Sequence, residues 1–275
     1  MRDLIAEIDA AAAAPGTFRC WWIGQEGYVF KTSRQIIYID PYLSTYAEDL
    51  TRGQANEHVR IHDAPMTPEA VHHADLVLCT HDHADHIDPD SIPAIALASP
   101  QAQFVVPECA RDTLLGFGIA PERIHTLRGD DRLTVEGLTI HAIPAKHEQF
   151  NEDPEKGFPF LSYVFDLEGH TVLHAGDTIP YPGQTEKMLS HQAALAFLPI
   201  NGRDAFRKAL DFEGNYTCEE AVGVGLSIKA GLTIPMHYDL FTLNTADVSD
   251  FERIASHRGL NHYVMQHGEG ITFPR

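Results

Sequence analysis

The chain has 275 residues, 44% hydrophobic and 21% charged, with a formal net charge of −19. That length and composition fit a globular protein with a sizeable core. They exclude the basic footprint of a protein that grips nucleic-acid phosphates, and no apolar run approaches the ~20 residues of a membrane span.

In chain order, "RDLIAEIDAAAA" predicts an amphipathic helix stopped by Pro15 and Gly16. The acidic Glu7 and Asp9 exclude a secretory h-region there, so a cytoplasmic location is expected. "FRCWWIG", "GYVFKT" and "QIIYID" predict short strands bounded by turn residues. Residues 41–68 are polar and irregular, and read equally as a loop or lid near a site or as a plain surface excursion. "ADLVLCT" predicts a buried strand, "PDSIPAIALA" a helix, "AQFVVP" a strand and "ECARDTLLGFG" a helix.

"RIHTL", "RLTVEG" and "LTIHAIPAKH" predict successive strands, and "FPFLSYVFDLEGHTVLHAGDT" a hairpin turning at Glu168-Gly169. "ALAFLPING" reads as a strand entering a loop. Thr217 with Glu220 three residues later marks a helix start. "LTIPMHYD" predicts a strand, "VSDFERIASHRG" a helix stopped by Gly259, and "HYVMQHGEGITF" two closing strands. No linker or repeat interrupts the order, so residues 1–275 are expected to form one α/β domain of packed sheets with helices outside.

Four cysteines stand far apart, with no Cys-x-x-Cys pair, and predict neither a disulfide framework nor a nucleophile. The 17 histidines are the anomaly. In "HDHADHID", His81 to Asp88, six of eight residues are histidine or aspartate, and the cluster directly follows a buried strand. Side chains two apart in an extended segment point the same way, so His81 and His83 can reach one ion. Asp85 and His86 lie past the bend and can face a second. Three further apolar strands end in ligand-type residues, at His147, Asp177 and His237. Strand ends at one edge of a sheet would gather all of these into a single cleft. Imidazole and carboxylate donors without thiolate suit zinc, iron or manganese, and an open site of this kind implies catalysis.

These residues resemble the five motifs of the metallo-β-lactamase superfamily, in order Asp40, His81 to His86, His147, Asp177 and His237. The resemblance implies a four-layer αββα sandwich with the site at one edge of its two sheets. "APGTFRCWWIGQEGYVFK", "HAGDT", "IPMHYDLF" and "YVMQHGEGITF" are similar, more narrowly, to the L-ascorbate-6-phosphate lactonase group of manganese- or zinc-associated hydrolases. Carried onto this chain, His81, His83 and His147 would hold the first ion. Asp85, His86 and His237 would hold the second, with Asp177 bridging. Asp40 would orient a ligand from behind. The cofactor expected is one or two divalent ions, zinc or manganese, and the resemblance points to a homo-oligomer.

A divalent ion lowers the pKa of bound water to about 7. The activity the resemblance implies is hydrolysis of a small anionic ester or lactone, such as a sugar-acid lactone or phosphate ester. Asp85 and Asp177 are the candidate catalytic carboxylates. Arg203, in the "NGRD" loop with Asn201, could fork a phosphate or carboxylate, and Tyr238 could donate to the substrate. The rival readings are a phosphodiesterase or ribonuclease of the same fold and a non-enzymatic, metal-stabilised binding protein. Neither a nucleic acid nor a membrane is an expected partner.

Overall fold

The computed structural model describes residues 3–147, 149–212 and 214–275; Arg2, at the start of the first expected helix, lies outside them. Strands β1 (Phe18–Gly24), β2 (Gly27–Lys31), β3 (Ile36–Ile39), β4 (Leu76–Leu78), β5 (Gln103–Pro107) and β6 (Ile124–Leu127) belong to the first sheet. The second holds β7 (Arg132–Val135), β8 (Leu138–Pro144), β9 (Leu161–Leu167), β10 (His170–His174), β11 (Leu195–Pro199) and β12 (Leu232–Met236). The C-terminal β13 (Gly270–Phe273) returns to the first sheet beside β1, giving seven strands in order β13-β1-β2-β3-β4-β5-β6 against six in order β12-β11-β10-β9-β8-β7.

The helices are α1 (Leu4–Ala10), α2 (Tyr46–Thr51), α3 (Ser91–Ala98), α4 (Arg111–Gly116), α5 (Gln184–Ser190), α6 (Ala205–Ala209), α7 (Cys218–Ser227) and α8 (Val248–Arg258). No helix among the described residues is long and apolar enough to cross a membrane.

The two-residue side-chain period of a strand explains the layering. In β1, Phe18, Cys20 and Trp22 enter the core between the sheets, where they join Tyr28, Phe30, Phe165 and Phe197. Trp21 and Ile23 face the other way, toward Leu4 and Ile8 of α1, Ile92 and Ile95 of α3 and Leu114 of α4. On the far side of the second sheet, Ala221 and Val222 of α7 and Phe251 and Ala255 of α8 complete the core. The result is the expected αββα sandwich.

Strand direction then decides where function can sit. β3, β4 and β5 run parallel, as do β10, β11 and β12. β8 and β10 are each antiparallel to β9 and so parallel to each other. The C-terminal ends of β3, β4, β8, β10 and β12 therefore open on one rim, and Asp40, His81, His147, Asp177 and His237 follow them.

Local chemistry fixes the ends of several elements. Thr217 and Glu220 form the reciprocal capping box that starts α7, Gly259 closes α8 in left-handed backbone at φ 73°, and Glu168 and Gly169 both take positive φ in the β9–β10 turn. Two expectations need correction. Residues 41–68 are not wholly irregular, since they include α2. The C-terminal stretch forms one strand, not two: His262 makes only an isolated bridge to Thr233, and the Met265 carbonyl accepts the Tyr238 hydroxyl.

Candidate metal centre

Asp40 enters the site at the end of β3 with left-handed backbone, φ 43°. Its Oδ1 accepts the Thr80 N–H at 2.8 Å and its Oδ2 the Thr80 hydroxyl at 2.7 Å. The same Oδ2 stands 3.0 Å from His86 Nδ1, which turns His86 Nε2 toward the cleft. Gly176 precedes Asp177 because the backbone comes close here: a Cβ would stand 2.9 Å from Leu161 O and 3.0 Å from Thr80 Cβ. His237 follows β12 with φ 60°, its N–H donating to Gln25 O at 3.1 Å.

The side chains converge on Asp177. Its Oδ2 lies 3.7 Å from His81 Nε2, 3.7 Å from His86 Nε2 and 3.5 Å from His147 Nε2, and its Oδ1 lies 3.5 Å from His237 Nε2. His86 Nε2 is 3.8 Å from Asp85 Oδ2. One group of potential ligand atoms comes from His81, His83 and Asp177, another from Asp85, His86 and His237, each within 4.8 Å of one another.

These separations are long for hydrogen bonds. Atoms bonded at about 2.0–2.2 Å to a tetrahedral ion stand roughly 3.3–3.6 Å apart, close to what is seen. His81 Nε2 and His86 Nε2 are buried with no hydrogen-bond partner among the described residues. Buried nitrogens normally find partners; a cation beside each ring, with Asp177 close to both, would supply one. The donor set therefore fits a divalent metal.

The electrostatics agree. Burial pushes the His147 imidazole down to about 4, against the pull of Asp177, and burial with His86 and His83 nearby holds His81 well below the usual histidine range. Both rings are neutral near pH 7. Burial would raise Asp177, but His237, His147 and His86 outweigh it and keep the carboxylate well below its usual range. Burial would lower His86, yet Asp85, Asp40 and Asp177 hold it up to about 10.

Above the cluster lies a cavity of about 480 Å³. The 41–68 segment supplies one wall through Ala47, Leu50, Thr51 and His58, and Lys208 and Phe212 stand among the other lining residues. The three residues expected at the substrate are placed elsewhere. Asn201 is buried and donates to Asn244 Oδ1 at 2.9 Å. Arg203 forks onto Glu220 at 2.6 Å through both terminal nitrogens. Tyr238 packs on Trp22 and donates to Met265 O at 3.0 Å. None of them lines this cavity.

Three residues that sequence reasoning passed over are at the site. Asn215 Nδ2 donates to Asp177 Oδ1 at 2.7 Å. Gln25 Nε2 donates to Asp85 Oδ2 at 2.7 Å. Glu26 is fully buried, and burial together with Asp177, Asp40 and Asp85 pushes its carboxyl well above the usual range. The signal for the last two was present: "GQEG" sets two polar residues between strands whose side chains are otherwise almost all apolar.

The beta-lactamase superfamily domain model matches residues 35–238. A probable L-ascorbate-6-phosphate lactonase UlaG of Escherichia coli (strain SMS-3-5 / SECEC) is 24% identical, over 98% of this chain and 84% of its own length. Among solved structures, the metallo hydrolase Igni18 of Ignicoccus hospitalis superposes with a TM-score of 0.69 at 23% identity, covering 94% of this chain and 99% of that one. An isothiocyanate hydrolase from Delia radicum gut bacteria gives 0.71 at 19% identity, covering 92% and 98%. With the αββα layers and the histidine-aspartate centre in place, the match over most of its length makes this chain a member of the metallo-β-lactamase superfamily of metal-dependent hydrolases.

Proposed function

We propose that the protein hydrolyses a small anionic ester or lactone, with His81, His83 and His147 holding one divalent ion, Asp85, His86 and His237 a second, and Asp177 between them. The observation that carries this reading is the convergence of imidazole Nε2 atoms on Asp177 at 3.5–3.7 Å, two of them buried and unpartnered. The donor set, rich in imidazole and free of thiolate, suits zinc or manganese. Such an ion, when bound, supplies Lewis-acid activation of water and of a substrate oxygen near neutral pH.

The protein's own groups do the rest. Asp40 orients His86, and Asn215 fixes the rotamer of Asp177. Asp85 lines the cleft and is the candidate proton acceptor. Lys208 lines it too, the one lysine or arginine among the described residues there, and favours an anionic substrate. A lactone is favoured by the similarity to the lactonase UlaG over nearly the whole chain.

The test is to replace His83 and His237 by alanine and measure bound metal together with hydrolysis of lactones, phosphodiesters and thioesters. Loss of metal and of lactone hydrolysis is expected. Unchanged metal content in a folded variant overturns the ligand assignment, and hydrolysis confined to phosphodiesters replaces the lactonase reading with a phosphodiesterase.

A further inference from the structure

Gln25 sits in the turn between β1 and β2, fully buried, with left-handed backbone at φ 54°. Its backbone carbonyl accepts the Trp22 indole N–H at 3.1 Å and the His237 N–H at 3.1 Å, so the main chain is fixed whatever the side chain does. The side-chain Nε2 stands 2.7 Å from Asp85 Oδ2 and 3.1 Å from His237 Nε2. One NH₂ group thus serves two atoms of the group formed by Asp85, His86 and His237. The other end of the carboxamide, Oε1, is buried and has no hydrogen-bond partner among the described residues.

A buried amide oxygen without a donor is uncommon. A half-turn about the terminal torsion exchanges Oε1 with Nε2. Oε1 would then stand 2.7 Å from Asp85 Oδ2 and 3.1 Å from His237 Nε2. Acceptors this close repel one another unless a cation lies among them. With one there, these are the spacings of neighbouring ligands, which stand about 3 Å apart around an ion with bonds of about 2.1 Å at right angles.

We infer that Gln25 is a further ligand of the ion proposed for Asp85, His86 and His237, coordinating through Oε1. This rests on the metal assignment proposed above. Without an ion, the amide NH₂ holds Asp85 and His237 in place; with one, the amide turns and its oxygen joins them. An amide oxygen is a hard, neutral donor, and neutrality matters where Glu26, Asp40, Asp85 and Asp177 already crowd four carboxyl groups around the site.

The experiment titrates metal-stripped protein with Co²⁺ and with Zn²⁺, reading stoichiometry and affinity by equilibrium dialysis and coordination number by the Co²⁺ visible spectrum. The variants are Gln25→Leu and the near-isosteric Gln25→Glu, which keeps an oxygen at the same reach if the leucine variant fails to fold. One of two ions should bind at least tenfold more weakly to Gln25→Leu, with its Co²⁺ bands intensified by the loss of an oxygen ligand. Gln25→Glu should bind that ion as tightly as the parent or more so. Wild-type affinities and spectra in both variants overturn the assignment. So does tighter binding to Gln25→Leu, which would make the amide a plug rather than a ligand. A wild-type protein that binds no ion overturns this inference and the metal assignment together. Metal binding as expected without lactone hydrolysis leaves the Gln25 assignment standing and removes only the substrate.

Discussion

The two rims of the sandwich make an instructive contrast. The larger cavity, about 720 Å³, lies at the rim opposite the metal centre, lined by Arg34, Asp75, Glu136, Asp166 and Glu168 among others. Three of its carboxylates accept ordinary hydrogen bonds. Asp75 accepts the Ile36 N–H at 2.8 Å, Asp166 the Gly169 N–H at 2.9 Å and Glu168 the Ser33 hydroxyl at 3.0 Å. Water reaches most of these groups, so their charges cost little and do little. At the smaller cavity Asp177, His147 and His237 are buried, and beneath them the Nε2 atoms of His81 and His86 have no hydrogen-bond partner among the described residues. Volume is therefore a poor guide to the working end of this fold; buried charge that the protein alone leaves unsatisfied is a better one.

Backbone strain divides the same way. Left-handed residues occur at both rims, but Glu168 sits in a hairpin turn, where Gly169 shares the positive φ. Asp40 and His237 adopt it in buried segments, where the cost of roughly 1–2 kcal/mol is retained because it aims a side chain at the centre.

The contrast breaks most decisively at Asp177. Asp177→Asn removes the charge that four imidazoles share, so metal content should fall and hydrolysis drop on the order of 10³-fold. Metal analysis beside kcat/KM checks this, and near-normal turnover would show that the buried cluster is not the reacting centre. Asp40→Ala should act more gently, weakening metal binding by about 10–100-fold because His86 loses its support. It also strands the buried Thr80 N–H, costing about 1–3 kcal/mol of stability in the metal-free protein. Metal titration and chemical denaturation measure the two effects separately.

The next effect is a dependence on pH. Held up to about 10, His86 is an imidazolium at neutral pH in the metal-free protein, whereas His147, pushed down to about 4, is already neutral. A metal needs the neutral ring. Loading should therefore expel a proton from His86 and none from His147, and apparent affinity should rise up to about tenfold per unit between roughly pH 6 and 8. Calorimetry in two buffers of different ionisation enthalpy reads the proton directly; binding without proton release would sink the assignment of His86.

Much of this centre was legible because two signals coincide. Short apolar strands announce themselves by composition, and a ligand-type residue at the end of each is visible without coordinates, as at His81, His147, Asp177 and His237. What stayed hidden depends on approach across the fold. Gln25 meets Asp85 from 60 positions away and His237 from 212, and nothing in local sequence reports such a meeting. Tyr238 misled for a related reason: adjacency to His237 suggests a shared direction, but the left-handed backbone at His237 sends the next side chain to Met265 instead. Arg203 misled because Glu220, read only as half of a capping box, also captures the guanidinium. The helices α2, α5 and α6 have six, seven and five residues, too few turns to show an amphipathic period.

The smallest expected effect tests the other side of the contrast. Glu168→Asn at the opposite rim keeps a residue that tolerates positive φ and removes only a partly exposed bond to Ser33. Surface changes of this kind usually stay within about 0.5 kcal/mol. Thermal denaturation should show almost no shift, and hydrolysis and metal affinity should match the parent protein. If instead hydrolysis fell tenfold with the metal still bound, the larger cavity would have to be coupled to the reaction, and the division between a rim that satisfies its own charges and a rim that needs cations would fail at its quiet end.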